Sequence, residues 1–350
     1  MDNRVCKNLI LKLSNIKKED LSKIKVVLLP DFFLDHTLHI DDIDKMIDDI
    51  KRVYKQGGGN IPGIRQDIHS GGNAANTALA LARLGVKTYL ISKTDETGAE
   101  LIRFYLESAG VDISHIRTDG RLSVTTALEF GSKHINVMIG DPGSVESFSY
   151  DVLDDHDLAL ISESDLVGVM NWNLNRYGTD LAKKIFNYAK KHDTMTFFDS
   201  GDPSPKKNEI QRLKEEVLKD DTIDIFSMNE NELRYYTGEV SILSKDEMIK
   251  AAIKLKREIK PRIDLHTTLF TSSIDDIETV TVPAYELDSI KRSTGAGDNW
   301  NAGDILGELI GLETEERLLC ANTVAACYIT SRDPLPPTLE EVIGYLKKTM

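Results

Sequence analysis

The sequence predicts an α/β fold: a mostly parallel central sheet flanked by helices, with a small β-rich lid. Three observations carry this. Short apolar runs at 25–30, 165–171, 194–199 and 223–228 have the length and continuity of strands buried on both faces. Between them, 178–192, 208–219 and 245–258 show helical apolar spacing, and strand alternating with helix folds as a parallel sheet covered on both sides. Two regions, 36–70 and 118–140, depart from that rhythm and are read together as the lid.

Taken in order, residues 7–24 read as a leader helix with Leu9, Ile10, Leu13 and Ile16 apolar among lysines. This sets 1–24 apart as a helical leader and 25–350 as a single α/β domain. Lys25–Pro30 is the first buried strand. Ile43, Met46, Ile47, Ile50, Val53 and Tyr54 mark a helix over 41–56, and Gly57-Gly58-Gly59-Asn60-Ile61-Pro62-Gly63 a flexible loop. A helix at 73–84, a strand at 87–92 and a helix at 97–109 stopping at Gly110 come next. Residues 122–139 alternate with period two around a turn at Gly131-Ser132, which predicts a hairpin. Strands at 263–270 and 276–282 and helices at 298–310, 314–330 and 338–348 complete the chain.

Composition narrows the function. The chain has 350 residues, 41% of them hydrophobic and 29% charged, with a formal net charge of −14. That balance disfavours nucleic acid and anionic membrane as partners, where a basic face is expected. Cys6, Cys320 and Cys327 show neither metal-ligand spacing nor a disulfide framework. The histidines, among them His36, His69, His115, His134, His156, His192 and His266, form no metal motif, although His69 stands just before Ser70-Gly71-Gly72. No signal-peptide pattern opens the chain and no apolar run approaches membrane-spanning length, so a cytoplasmic location is expected.

The most informative run is Thr294-Gly295-Ala296-Gly297-Asp298, which opens a helix with Ala302, Ile305, Leu306 and Leu309 on one face. The glycines let backbone approach an anion closely, and the free N–H groups and dipole of the helix end favour phosphate. Asp298, at the same mouth, is placed to accept the proton of a hydroxyl attacking a phosphoryl group. A second run, Gly71-Gly72-Asn73-Ala74-Ala75-Asn76-Thr77-Ala78-Leu79-Ala80-Leu81-Ala82-Arg83-Leu84-Gly85, starts a helix of small residues that can lie close to a sheet.

These two runs, in this order, resemble the two signatures of the ribokinase-like (PfkB) family of carbohydrate and nucleoside kinases. The resemblance covers about residues 25 to 345. It implies a Mg²⁺-dependent kinase with ATP as the default donor and ADP as the alternative, a β-rich lid, and a homodimer formed through that lid. Asp298 would be the general base and Gly295, Ala296 and Gly297 the anion hole. Gly71, Gly72 and Asn76 would hold substrate hydroxyls. In the family an Asp soon after the first strand grips two sugar hydroxyls; Asp35 fits that spacing best and Asp31 is the second candidate. Asn171, in the strand-end cluster Asn171-Trp172-Asn173, could also face substrate. Asn229 and Glu232 match the Asn-x-x-Glu motif, with Glu232 acting on the metal through water, though the same spacing is that of a helix capping box. Asp199 takes the place of the family's segment near the phosphate path. Thr294, His266 and Asn322 join Asn229 as nucleotide candidates.

The chain departs from the family twice. Arg292 stands where potassium-activated members carry an Asp of the monovalent-cation site, so activity independent of K⁺ is expected. The counterpart of the glycine-containing nucleotide segment, Ile263-Asp264-Leu265-His266-Thr267-Thr268-Leu269-Phe270, has no glycine. The acceptor stays open between a sugar, a sugar phosphate such as ribose 1-phosphate, and a nucleoside, with Arg65, Arg121 and Arg176 as cations available to a phosphorylated one. A sugar-sensing protein on the same fold is the non-enzymatic alternative. A dinucleotide-linked oxidoreductase is disfavoured, because no Gly-x-Gly-x-x-Gly follows the first strand.

Overall fold

A computed structural model describes residues 3–131, 135–239 and 244–350. The chain opens with α1 (Asn3–Asn15), the single turn α2 (Lys18–Leu21) and strand β1 (Lys25–Leu29). Next come β2 (Phe33–Ile40), α3 (Ile43–Lys55), β3 (Arg65–Gly71), α4 (Asn73–Leu84), β4 (Lys87–Leu90) and β5 (Ser92–Lys93). The chain continues through α5 (Glu96–Tyr105), β6 (Ile116–Arg117), β7 (Ser123–Phe130), β8 (Ile135–Asp141) and α6 (Asp155–Ser162). The central units are β9 (Leu166–Met170), α7 (Gly178–Lys190), β10 (Met195–Asp199), α8 (Ile210–Leu213), β11 (Ile225–Asn229), α9 (Glu230–Thr237) and α10 (Lys245–Lys256). The last are β12 (Arg262–His266), β13 (Phe270–Ile274), β14 (Thr279–Pro283), α11 (Ala296–Leu309), α12 (Thr314–Thr330) and α13 (Leu339–Thr349).

Strand pairing builds a large sheet of eight strands in the order β14-β13-β12-β11-β10-β9-β1-β4. β12 through β4 run parallel, and β13 and β14 add antiparallel strands at one edge. Val26, Val27, Leu28 and Leu29 are each fully buried, as strands covered on both faces must be. One core layer packs α7, α9 and α10 residues such as Ile185, Leu233 and Leu255 against the sheet. The other packs α4, α11 and α12, with Ala78, Ile305 and Val324, against Leu28, Met170 and Phe197. Ala74, Ala75 and Ala78 are fully or almost fully buried, so the small side chains of α4 do permit its close approach.

The four-stranded lid sheet, β3-β2-β7-β8, stands apart from the large one. β2 pairs antiparallel with β3 and parallel with β7, and β7 pairs antiparallel with β8 as a hairpin. Of the hairpin's expected turn, Ser132 lies outside the described residues, as does His134.

Three expectations need revision. The leader is not one helix over 7–24: α1 ends at Asn15, and Cys6, Leu9 and Leu13 are buried in the same core as Ala302 and Leu346, so the segment packs as part of the domain. The apolar run at 263–270 is not one strand. The Thr267 hydroxyl accepts from the N–H groups of Leu269 (3.2 Å) and Phe270 (3.0 Å), closing a turn that reverses the chain, so three strands stand where two were expected. The stretch 208–219 is α-helical only at Ile210–Leu213, with a π-helical turn following at Lys214–Leu218. Among the described residues, no helix is long and apolar enough to cross a membrane.

Candidate active site

Parallel α/β sheets expose the C-terminal ends of their strands and the N-termini of the following helices on one side, and ligands bind there. In this chain that side gathers Asp31 just past β1, Asn171 past β9, Asp199 at the end of β10, Asn229 at the end of β11 and His266 at the end of β12. The N-termini of α4, α9 and α11 open onto the same side.

The start of α11 forms the floor. Gly295 caps the helix in the left-handed region (φ 81°), which an L side chain rarely adopts, and an added Cβ would stand 3.0 Å from the Tyr328 hydroxyl. Asn299 fastens the cap by donating its N–H (3.0 Å) and Nδ2 (2.9 Å) to the Gly295 carbonyl. Asp298 follows in the first turn, 9% exposed. Its carboxylate accepts from Asn76 Nδ2 at 2.8 Å, and its carbonyl from the Thr77 hydroxyl at 3.3 Å, which joins α11 to α4. Burial, with repulsion from Asp199, Asp31 and Asp35, raises the proton affinity of Asp298 well above that of an ordinary carboxylate, and the Asn76 hydrogen bond offsets only part of this.

Asp31 is fully buried. Its Oδ1 accepts from the Ala74 N–H (3.1 Å) at the start of α4, and its Oδ2 from Asn171 Nδ2 (2.9 Å). Asn171 makes this contact from a left-handed backbone (φ 55°), which asparagine tolerates better than most residues. Asp35 lies in β2, paired across the lid sheet with His69 and Thr125. Burial pushes both carboxyls up to about 6. The glycine pair exists for these two acids. A Cβ on Gly71 would stand 2.2 Å from the Asp35 carboxyl, and one on Gly72 2.7 Å from Asp31 Oδ2. His69, by contrast, is exposed.

A second acidic group sits towards β10 and β11. Asn229 caps α9 in a capping box: its Oδ1 accepts from the N–H groups of Asn231 (2.8 Å) and Glu232 (3.0 Å). In return, its N–H (2.9 Å) and Nδ2 (2.8 Å) donate to Glu232. Glu232 is buried, and burial together with the charge of Asp199 raises its proton affinity. Asp199 accepts from the Gly201 N–H (2.8 Å) and Asn301 Nδ2 (2.6 Å), and burial raises it too.

The remaining sequence candidates fall in different places. Thr294 is exposed at the mouth of α11. The His266 ring lies against Gly297, its Cε1 3.2 Å from where a Cβ would stand, and stacks on Trp300 at 4.9 Å. Burial pushes it down to about 4, so it is neutral at physiological pH, and its Nε2 has no protein partner. Asn322 spends its amide on Trp300 Nε1 (2.9 Å) and the Pro283 carbonyl (3.2 Å), and is linked to the site through Trp300. Trp172 is core, its Nε1 donating to the Thr179 hydroxyl.

Sequence reasoning passed over two residues. Asn301 ties Asp199 to the Ser227 hydroxyl (2.6 Å); its position three after Asp298, on the same helical face, was the available signal. Thr125 stands beside Asp35 on the same face of the lid sheet, and nothing in the sequence alone gives the strand register that brings the two together.

Among the described residues, no three His, Cys, Asp or Glu side chains converge as a metal cage. The donor set fits Mg²⁺ all the same, since that ion keeps several waters and takes one or two carboxylates plus phosphate oxygens. Glu232 and Asp199 are the carboxylates on hand.

Comparison with known structures identifies the fold. The chain superimposes on the ribokinase of Arabidopsis thaliana, solved with ribose and ATP, with a TM-score of 0.75 at 19% identity, covering 93% of this chain and 98% of that one. It matches the adenosine kinase of Sinorhizobium meliloti with a TM-score of 0.75 at 18% identity, covering 94% and 100%. The fold is therefore ribokinase-like. In sequence, the ribokinase of Haemophilus influenzae is 25% identical over 305 residues, 84% of this chain and 92% of that protein. Residues 39–340 match the model of the pfkB family carbohydrate kinases, and the chain belongs to that family. It is a phosphotransferase with a hydroxyl group as acceptor, a kinase of the sugar and nucleoside class.

Proposed function

We propose that this protein transfers a phosphoryl group from a nucleotide, ATP by default and ADP as the alternative, to a hydroxyl of a sugar, sugar phosphate or nucleoside, with Asp298 as general base. The observation that carries the reading is the junction of α4 and α11. Asn76, one turn into the helix that begins at the glycine pair, hydrogen-bonds the carboxylate in the first turn of the other helix. Acceptor contacts and proton acceptor are thereby fixed to each other on two rigid elements.

Asp31 and Asp35 would accept hydrogen bonds from acceptor hydroxyls, with Asn171 and Asn76 orienting those carboxylates and Asp298. A reacting hydroxyl on Asp298 gives up its proton late in transfer, and a buried carboxylate with raised proton affinity suits that task. The N–H groups of Gly295 and Gly297, at the positive end of α11, would hold the anion that moves, and that of Ala296 would join them on leaving the Ser293 carbonyl, to which it donates at 3.2 Å. Asn229, Thr294 and His266 would line the donor side, with Asn322 holding Trp300 beneath His266. Glu232 and Asp199 would hold Mg²⁺ through water, and the ion, when bound, offsets phosphate charge.

The lid supports a homodimer. Alternation along β2 puts Asp35 on one face and Leu34 and Leu38 on the other, together with Ile68, Val137 and Ile139, which are 52%, 47% and 58% exposed. A second copy covering that face is the expected partner.

The test is a matrix of phosphoryl transfer offering ATP and ADP with ribose, ribose 1-phosphate, fructose 6-phosphate, adenosine and cytidine. Asp298→Asn is the control. One active pair lost in the variant supports the assignment; unchanged turnover in the variant refutes Asp298 as base.

A further inference from the structure

We infer that the acceptor is uncharged, a free sugar or a nucleoside, and is neither a sugar phosphate nor a sugar acid. This rests on the phosphotransferase reading above and narrows it.

The acceptor end presents Asp31, Asp35 and Asp298; Asp31 and Asp298 accept from amides and a backbone N–H, and Asp35 has Thr125 beside it across the sheet. Among the described residues, no lysine or arginine hydrogen-bonds any of the three. The proton affinities agree with this, because burial and mutual repulsion push all three up, where a neighbouring cation would pull them down.

Of the three arginines offered to a phosphorylated acceptor, two are paired with acids of their own and the third, exposed, rests on a neighbouring ring. Arg65 pairs with Asp67 at 2.7 Å, opposite His39 in the register. That is four positions along β2 from Asp35, roughly 13 Å at about 3.3 Å per residue. Arg121 makes a two-pronged pair with Asp141, one bond at 2.9 Å. Arg176 lies over the Tyr177 ring at 5.5 Å.

Another anion-attracting feature at this end is the N-terminus of α4, and the protein fills it itself: the Ala74 N–H is given to the Asp31 carboxylate. The mouth of α11 gives its Ala296 N–H to the Ser293 carbonyl (3.2 Å) and leaves those of Gly295 and Gly297 for an outside anion, and the transferring phosphoryl needs those. A second phosphate or a carboxylate on the acceptor would lie among three unpaired acids. Hydroxyls would not, since each can donate to one of them.

The experiment uses the full chain and matched acceptors: ribose against ribose 1-phosphate, fructose against fructose 1-phosphate and fructose 6-phosphate, glucose against gluconate, and adenosine and cytidine alone. Transfer is followed with labelled ATP, and binding separately by calorimetry. The expected result is a neutral acceptor favoured over its charged counterpart by at least ~100-fold in kcat/KM, and Asp35→Asn narrowing that ratio by about tenfold. A charged acceptor that matches or exceeds its neutral counterpart overturns the inference while leaving the kinase reading intact. A ratio untouched by Asp35→Asn overturns charge as its cause. Neutral compounds that bind without transfer support the inference and count against the kinase reading. Binding of neither class overturns the inference.

Discussion

Helix α11 carries buried acids at its mouth and again near its middle, and the chain treats the two groups in opposite ways. At the mouth, Asp298 faces Asp31, Asp35 and Asp199 with amides for company. Two turns further on, Asp304 lies fully buried against Arg317, which also grips Asp264 (2.9 Å) and the Ser273 hydroxyl (2.8 Å). Arg262 completes that group through Asp264 (3.0 Å) and Glu308 (2.7 Å). Burial alone would raise Asp264, but Arg262 and Arg317 outweigh it and hold the carboxyl well below its usual range. Cations are thus supplied where α11, α12 and β12 must be locked together. They are withheld where carboxylates must meet a substrate.

Neutralising one acid in each group breaks the comparison most sharply at the mouth. Asp298→Asn keeps the shape and the contact with Asn76 but cannot accept a proton, so kcat should fall by ~10²–10⁴. Its thermal midpoint should hold or rise, because an unpaired buried charge has been removed. A variant that loses stability along with activity would show that Asp298 serves structure.

Arg317→Met should do the reverse. Stranding Asp264 and Asp304 should cost about 3–5 kcal/mol in urea unfolding. Any loss of activity should track the loss of folded protein. An Arg317 variant that is fully stable would remove the distinction between the two groups.

The groups should also part in their response to pH. Asp35, at about 6 in the folded chain against roughly 3.9 unfolded, binds its proton more tightly when folded. The native state therefore holds more protons between those values, and stability falls as pH rises from about 4 to about 6. Asp35→Asn removes that slope: its stability advantage over the wild type should be near zero at pH 4 and grow to about 2 kcal/mol by pH 7. Asp264 has the opposite sign. Its depressed value contributes stability above about pH 4 that is lost as pH falls further, so acid unfolding should follow Asp264, whereas burial raises its neighbour Asp304. Acceptor KM should rise below about pH 6 as Asp31 and Asp35 take up protons.

How far the sequence shows this depends on whether a contact is local. The glycine pair, the Gly-Ala-Gly-Asp turn and the helices they open are contiguous, and each can be argued from backbone and helix-end physics within a dozen residues. The strand runs around 25–30 and 194–199 are legible because burial on both faces demands continuous apolar side chains. What stays hidden is long-range. Asp35 meets Thr125 through a register between strands some ninety residues apart. Asp264, Asp304 and Arg317 look like isolated charges in separate elements until packing makes them one group. The break at Thr267 is short-range but chemically quiet, a hydroxyl closing a turn with no glycine or proline to announce it.

The smallest expected effect concerns Arg292, a cation beside the mouth that serves structure and leaves the acids alone. Its guanidinium donates to the Tyr328 carbonyl (2.7 Å) and the Arg332 carbonyl (3.2 Å) and stacks on the Tyr328 ring at 5.1 Å. Tyr328 in turn abuts Gly295, the cap of α11. Carbonyl oxygens gathered at a helix C-terminus attract a cation, and here the chain supplies one covalently, with planar donors and a permanent charge. A monovalent ion would have to displace that guanidinium before it could reach the same oxygens. Replacing Na⁺ by K⁺ at constant ionic strength should therefore change kcat by less than about twofold, because the cation that steadies the cap is already bound. In Arg292→Ala the carbonyls are released, and dependence on K⁺ should emerge together with a lower basal rate. Many-fold activation of the unaltered protein by K⁺ would mean that the ion acts at other oxygens and that Arg292 does not stand in for it.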